Sequence, residues 1–183
     1  MISKPESVVN TIVDLSSVKR FHGRKVIQTQ TVADHSARVA MLSFFIALEF
    51  YEGDKVKANY VSTLGLFHDF PEAILKCDVS SPLKAKGDIG ATLKQVELKA
   101  VGDMFDDKSL QDLMLEVAPD PADFQIMKLA DSLDFGLYSW EEVTMGNTHM
   151  QFCLDAFKGE LSKFPKVLQN LEFTKSCIKK ILG

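Results

Sequence analysis

The chain has 183 residues, 46% of them hydrophobic and 25% charged, with a formal net charge of -4. That is one domain's worth of chain with enough apolar side chains for a core of its own, and nothing in it signals disorder. The acidic balance argues against a nucleic-acid polymer as partner, because phosphate neutralisation by a basic excess dominates such binding.

The first predicted element follows Pro5, where Val8, Val9, Ile12, Val13 and Leu15 repeat at helical spacing to about residue 19. RFHGRKVIQTQTVAD lacks any helical period and reads as a loop. Thr31 or Asp34 then caps a long helix to about Phe50, with Val39, Leu42, Ile46 and Phe50 on its apolar side. YEGDKVK is a turn, and Val56 to Phe67 returns to helix, ending at His68-Asp69. Pro71 opens a short helix, and CDVSSPLKAKGD is a loop by composition. Helices are expected over about 89–105, 108–117, 122–144, 147–160 and 165–181, with APDPAD as a break. No strand pattern or internal repeat appears, so the expectation is an all-α, bundle-like single domain over 1–183. The longest apolar stretch, around Val39 to Leu48, is interrupted by Ser43 and too short to span a bilayer. No signal peptide is read at the N-terminus. Cys77, Cys153 and Cys177 are few and widely spaced, as reduced cytosolic thiols are.

Chemistry concentrates at a few points. His68 and Asp69 are adjacent where a helix ends, so both side chains can turn toward one ion, and the pairing of imidazole and carboxylate suits zinc, manganese, iron or cobalt. A buried histidine beside an exposed capping aspartate reads the same way in sequence. His35 opens the long helix in TVADHSARVAML. Asp131 lies in the apolar stretch IMKLADSLDFGL, costly unless paired or metal-bound, and Asp134 competes for the same role because i and i+3 share a face. The chain has four histidines in all.

Three blocks, KRF…TQTVADHSARVAML, LGLFHDFPEAILKCDVSSPLK and KLADSLDFGLYSWEEV, taken in order over about residues 18–145, resemble the HD-domain phosphohydrolases, and within them the bacterial 5′-deoxynucleotidases and their small phage relatives. The resemblance implies that His35, His68, Asp69 and Asp131 hold one divalent ion, cobalt, manganese or zinc in preference to magnesium. It implies that Glu72 positions or activates the attacking water, that Asp78 lies near the leaving group, that Arg20 grips the phosphate, and that Lys84 adds positive charge. Phe21 stands where the bacterial enzymes carry tryptophan, which keeps an aromatic ring for base or sugar packing.

The implied activity is hydrolysis of a deoxyribonucleoside 5′-monophosphate. The rivals are a dNTP triphosphohydrolase, for example on dATP, which needs Lys84, Lys86, Arg24 and Lys25 to converge, and a catalytically silent nucleotide-binding module. A cytosolic location in a bacterium or phage-infected cell, no membrane association, and a homodimer or higher oligomer are also expected. Bland readings are kept for the remaining polar residues. His22 is a solvent-facing loop residue, His149 is structural, and Arg38 pairs with a carboxylate on a neighbouring helix. Glu141-Glu142 is surface charge, Trp140 is core, and Cys77 has no activating partner.

Overall fold

A computed structural model describes residues 1–79, 84 and 86–183. Of the loop read over 77–88, residues 80–83 and 85 lie outside the described residues. In chain order the helices are α1 (Pro5–Asp14), α2 (Val32–Phe50), α3 (Lys55–Phe67), α4 (Phe70–Leu75), α5 (Asp88–Gly102), α6 (Lys108–Met114) and α7 (Pro121–Thr144). A 3-10 turn (Thr148–Met150) precedes α8 (Gln151–Leu161), α9 (Lys166–Gln169) and α10 (Glu172–Leu182). The fold is all-α, as the sequence predicts. Extended pairing among the described residues is confined to two isolated bridges, Ile2 with Phe105 and Lys19 with Thr31.

Two boundaries depart from expectation for local reasons. α1 stops at Asp14 rather than about 19, and the backbone after it pairs with residues 32 and 33 instead. Leu15 O accepts from Ala33 N–H at 3.2 Å and Val18 O from Val32 N–H at 2.9 Å. The last predicted helix breaks in two at Leu171, whose φ of -60° and ψ of 141° are extended. The carboxylate of Glu49 accepts the N–H groups of Glu172 (2.6 Å) and Phe173 (2.9 Å), satisfying the donors that a helix start exposes.

The chain divides into two compact units. The first comprises Met1–Arg24, Thr29–Ser36 and Phe67–Val117. Its core is Phe70, Val101, Met104, Phe105, Met114 and Leu115, with Val8, Phe67, Ile74 and Leu110 against it. Phe67 and Phe70 flank His68-Asp69, so burial of these two rings fixes the dipeptide from both sides. At the start of α2, Thr31 and Asp34 form a reciprocal cap. Thr31 Oγ1 accepts from Asp34 N–H at 3.2 Å, and Asp34 Oδ2 accepts from Thr31 N–H at 3.0 Å. Both residues proposed as the cap therefore serve.

The second unit comprises Lys25–Gln28, Ala37–Leu66 and Ala118–Gly183. Its axis is α7, opened by Asp120, whose carboxylate accepts from Ala122 N–H at 2.9 Å ahead of Pro121 at the first helical position. Ile126, Met127, Leu129, Ala130 and Leu133 are buried along it. At Gly136 the ring of Phe157 on α8 comes so close that a Cβ would meet it at 2.9 Å, so only glycine permits this packing. Among the described residues, no helix is long and apolar enough to cross a membrane.

Candidate metal centre and phosphate site

Three predicted ligands come together in the first unit. His35 Nε2 lies 3.2 Å from His68 Nε2, and Asp69 Oδ2 lies 3.4 Å from the first and 3.3 Å from the second. All three residues are buried, with His35 wholly so. Donors held about 2.0–2.1 Å from a tetrahedral ion stand about 3.3 Å apart, so this triangle fits a divalent transition ion without rearrangement. Among the described residues it is the group of histidine and carboxylate side chains that meets metal-ligand spacing.

The bland reading of Asp69 as an exposed cap fails on two counts. It is only 8% exposed, and although it precedes α4 its side chain makes no capping hydrogen bond. Its carboxylate faces the histidines and Arg20 instead, with Arg20 Nη1 at 3.0 Å from Oδ2. Arg20 is held at its backbone too, its N–H donating to Gln30 O at 2.9 Å beside the Lys19–Thr31 bridge. Phe21 follows with φ of +56°, a conformation uncommon outside glycine, and its ring centroid lies 5.7 Å from the Arg20 guanidinium carbon.

Glu72 sits in the first turn of α4, 4% exposed. Lys84 Nζ donates to its Oε1 at 2.8 Å, while Oε2 is buried with no hydrogen-bond partner among the described residues. Burial, then the negative charges of Asp69 and Asp78, push its carboxyl up to about 8, against the opposing pull of Lys84. The ammonium of Lys84 is raised in turn, burial working against its charge and Glu72 outweighing that. Lys84 is thus committed to a carboxylate. Asp78 is half-buried just beyond α4.

Asp131 lies in the second unit on α7, with its side chain 30% exposed and Lys128 Nζ 3.7 Å from Oδ2. Asp134, its competitor by spacing, is wholly buried and engaged by Arg38 Nε at 2.6 Å, while Arg38 Nη1 reaches Glu141 Oε2 at 3.0 Å. Arg38 thus pairs with carboxylates as expected, and Asp134 already has a cation. His22, Arg24, Lys25, Lys86, His149 and Cys77 are exposed. Trp140 is only half-buried, with Lys180 Nζ 4.3 Å from its ring centroid.

Glu142 corrects the sequence reading. It is not surface charge: it is fully buried and accepts from the N–H groups of Ile27 at 2.8 Å and Gln28 at 2.7 Å and from Asn147 Nδ2 at 2.6 Å. No local pattern signals this, because the two backbone amides it binds lie more than a hundred residues away in the chain.

Comparisons with known proteins bear on the fold and the family. Chains of similar fold include a conserved hypothetical protein from Pyrococcus furiosus (22% identity, TM-score 0.74, covering 95% of this chain and 99% of that one). An HD-domain phosphohydrolase from Listeria innocua matches at 20% identity and TM-score 0.73, over 97% and 87% of the two chains. The Cyanophage S-2L HD phosphohydrolase DatZ, bound to dA and one catalytic Zn2+ ion, matches at 15% identity and TM-score 0.69, over 98% and 99%. No curated protein matches the chain. The family model described as 5′-deoxynucleotidase YfbR-like matches residues 7–181, nearly the whole sequence, and the chain therefore belongs to that family of metal-dependent HD-domain phosphohydrolases.

Proposed function

We propose that the protein is a 5′-nucleotidase that converts deoxyribonucleoside 5′-monophosphates to deoxynucleoside and phosphate. The observation that carries this reading is the convergence of His35, His68 and Asp69 on one point with Arg20 alongside. His35, His68 and Asp69 would hold a single cobalt, manganese or zinc ion, with Asp131 as the fourth ligand that the family resemblance assigns. When bound, such an ion supplies positive charge for the phosphoryl oxygens and acidifies the attacking water.

The protein's own groups do the rest. Arg20 offers a planar fork of donors that binds phosphate bidentately and fixes it for in-line attack. Glu72 has one oxygen anchored by Lys84 and one buried oxygen with no hydrogen-bond partner among the described residues, an arrangement suited to taking a proton from water. Asp78 serves the departing 5′ oxygen, and Phe21 packs on the sugar or base. The match in fold to DatZ, which is bound to dA, supports a deoxynucleoside as the recognised moiety. The same reading makes the protein a cytosolic enzyme that acts as a homodimer or higher oligomer, a point for light scattering on the eluted species.

Product analysis tests the activity. Metal-stripped protein is reloaded separately with Mn, Co, Zn and Mg and given dNMPs, NMPs and dNTPs. Nucleoside and inorganic phosphate from dNMPs are expected. Intact triphosphate from dNTPs would replace the reading with a triphosphohydrolase, and no turnover with any metal would sink both.

A further inference from the structure

Burying a carboxylate is costly unless donors surround it, and Glu142 is buried completely. Burial opposes its ionisation, yet the N–H of Ile27, the amide of Asn147 and the N–H of Gln28 outweigh that and hold its carboxyl below the ordinary range. Two neighbours extend the contact. Tyr138, one turn back on α7, donates its hydroxyl to Gln28 O at 2.5 Å, and Asn147 Nδ2 also reaches Lys25 O at 2.9 Å. Four hydrogen bonds thus fasten residues 25–28 to α7 and the turn after it.

Five residues before Lys25 the same loop carries Arg20, and next to it Phe21. The neck of that loop is closed by Arg20 N–H on Gln30 O and by the Lys19–Thr31 bridge. A loop tied at its neck and along its far stretch has little conformational freedom left to lose when a ligand arrives. An ordinary solvated turn needs no buried anion to hold it.

We propose that Glu142, aided by Tyr138 and Asn147, is a positioning residue for phosphate binding: by fixing residues 25–28 it limits the conformations open to Arg20, which the same short loop carries. The proposal rests on the reading of Arg20 as the residue that grips phosphate.

The test uses the full chain loaded with cobalt and inorganic phosphate as the probe, with affinity measured by calorimetry. Amide hydrogen exchange at Ile27 and Gln28 is followed in parallel. Glu142→Gln keeps the side chain's size but turns an amide NH2 toward one of the two backbone donors. It should leave metal stoichiometry unchanged, expose the Ile27 and Gln28 amides to exchange, and raise the phosphate Kd about tenfold. Tyr138→Phe should act in the same direction and less strongly, and it carries the test if Glu142→Gln does not fold. Arg20→Ala is the reference and should weaken phosphate more than either.

Lost amide protection with wild-type phosphate affinity would reduce the clasp to a purely structural role, which lowers melting temperature alone. Retained amide protection in both variants would show that these groups do not hold the loop. Either result overturns the proposal while leaving Arg20 in place. Wild-type affinity in Arg20→Ala would instead overturn the reading of Arg20 itself.

Discussion

Both units bury charged and polar side chains, but they satisfy them differently. In the second unit each buried carboxylate has donors drawn from the protein. Asp123 takes the Tyr51 hydroxyl at 2.6 Å with Lys57 Nζ at 3.5 Å, Asp134 takes Arg38, and Glu142 takes two backbone amides and Asn147. In the first unit the buried groups point at one another. Two imidazoles and a carboxylate meet at 3.2–3.4 Å, and Glu72 keeps a buried oxygen with no hydrogen-bond partner among the described residues. Burial of charge therefore does not by itself mark a site. Ligand atoms of two imidazoles and a carboxylate that converge at metal-ligand spacing do, because that spacing suits a cation held between them.

The largest expected effect follows directly. His68→Asn should cut metal affinity at least a hundredfold, beyond the roughly 10–100-fold of changes around the ligands, while metal-free stability moves by less than about 1 kcal/mol. Metal titration and chemical denaturation of the stripped protein check the two halves. Arg38→Met should do the reverse. It removes the cation held against the fully buried Asp134 and costs about 3 kcal/mol, the low end for a buried pair because Arg38 keeps 30% of its side-chain exposure. The double change Arg38→Met with Asp134→Leu should recover most of that loss. If Arg38→Met lowered metal affinity at unchanged stability, the contrast between the units would collapse.

The smallest effect concerns pH. If Glu72 is the base of the proposed reaction it acts only when deprotonated, so activity should rise with pH through its titration. Lys84 pulls that titration down and burial with Asp69 pushes it up. Lys84→Met should therefore move the acid limb of kcat to higher pH, with a rate loss greatest near pH 6 and shrinking toward about pH 9. A profile unchanged in shape would remove Glu72 from the proton path.

Much of this was legible in the sequence because the helices carry their own punctuation. Thr31, Asp34, Pro71 and Pro121 stand at or beside helix starts that the structure shows. His35, His68 and Asp69 were legible for a different reason: the blocks around them resemble the HD-domain pattern, which assigns them to one ion, whereas the dipeptide alone reads equally well as a buried histidine beside a capping aspartate. Glu142 was illegible because a carboxylate beside another carboxylate on a helix looks like solvated charge. Its burial depends on backbone amides more than a hundred residues away, which no local pattern encodes. The break at Leu171 was hidden likewise, since the cap comes from Glu49 on α2 rather than from the helix's own first turn.

Phe21 has a bearing on how such a chain can be altered. A bulky side chain in the left-handed region costs on the order of 1 kcal/mol, and asparagine or glycine adopts it more readily. Replacing Phe21 would relax the backbone and strip the aromatic cover from the Arg20 guanidinium in the same step. Programmes that screen this protein for heat resistance alone will therefore be drawn to position 21, and, if Arg20 grips the phosphate as proposed, the variants they favour there will hold substrate less well.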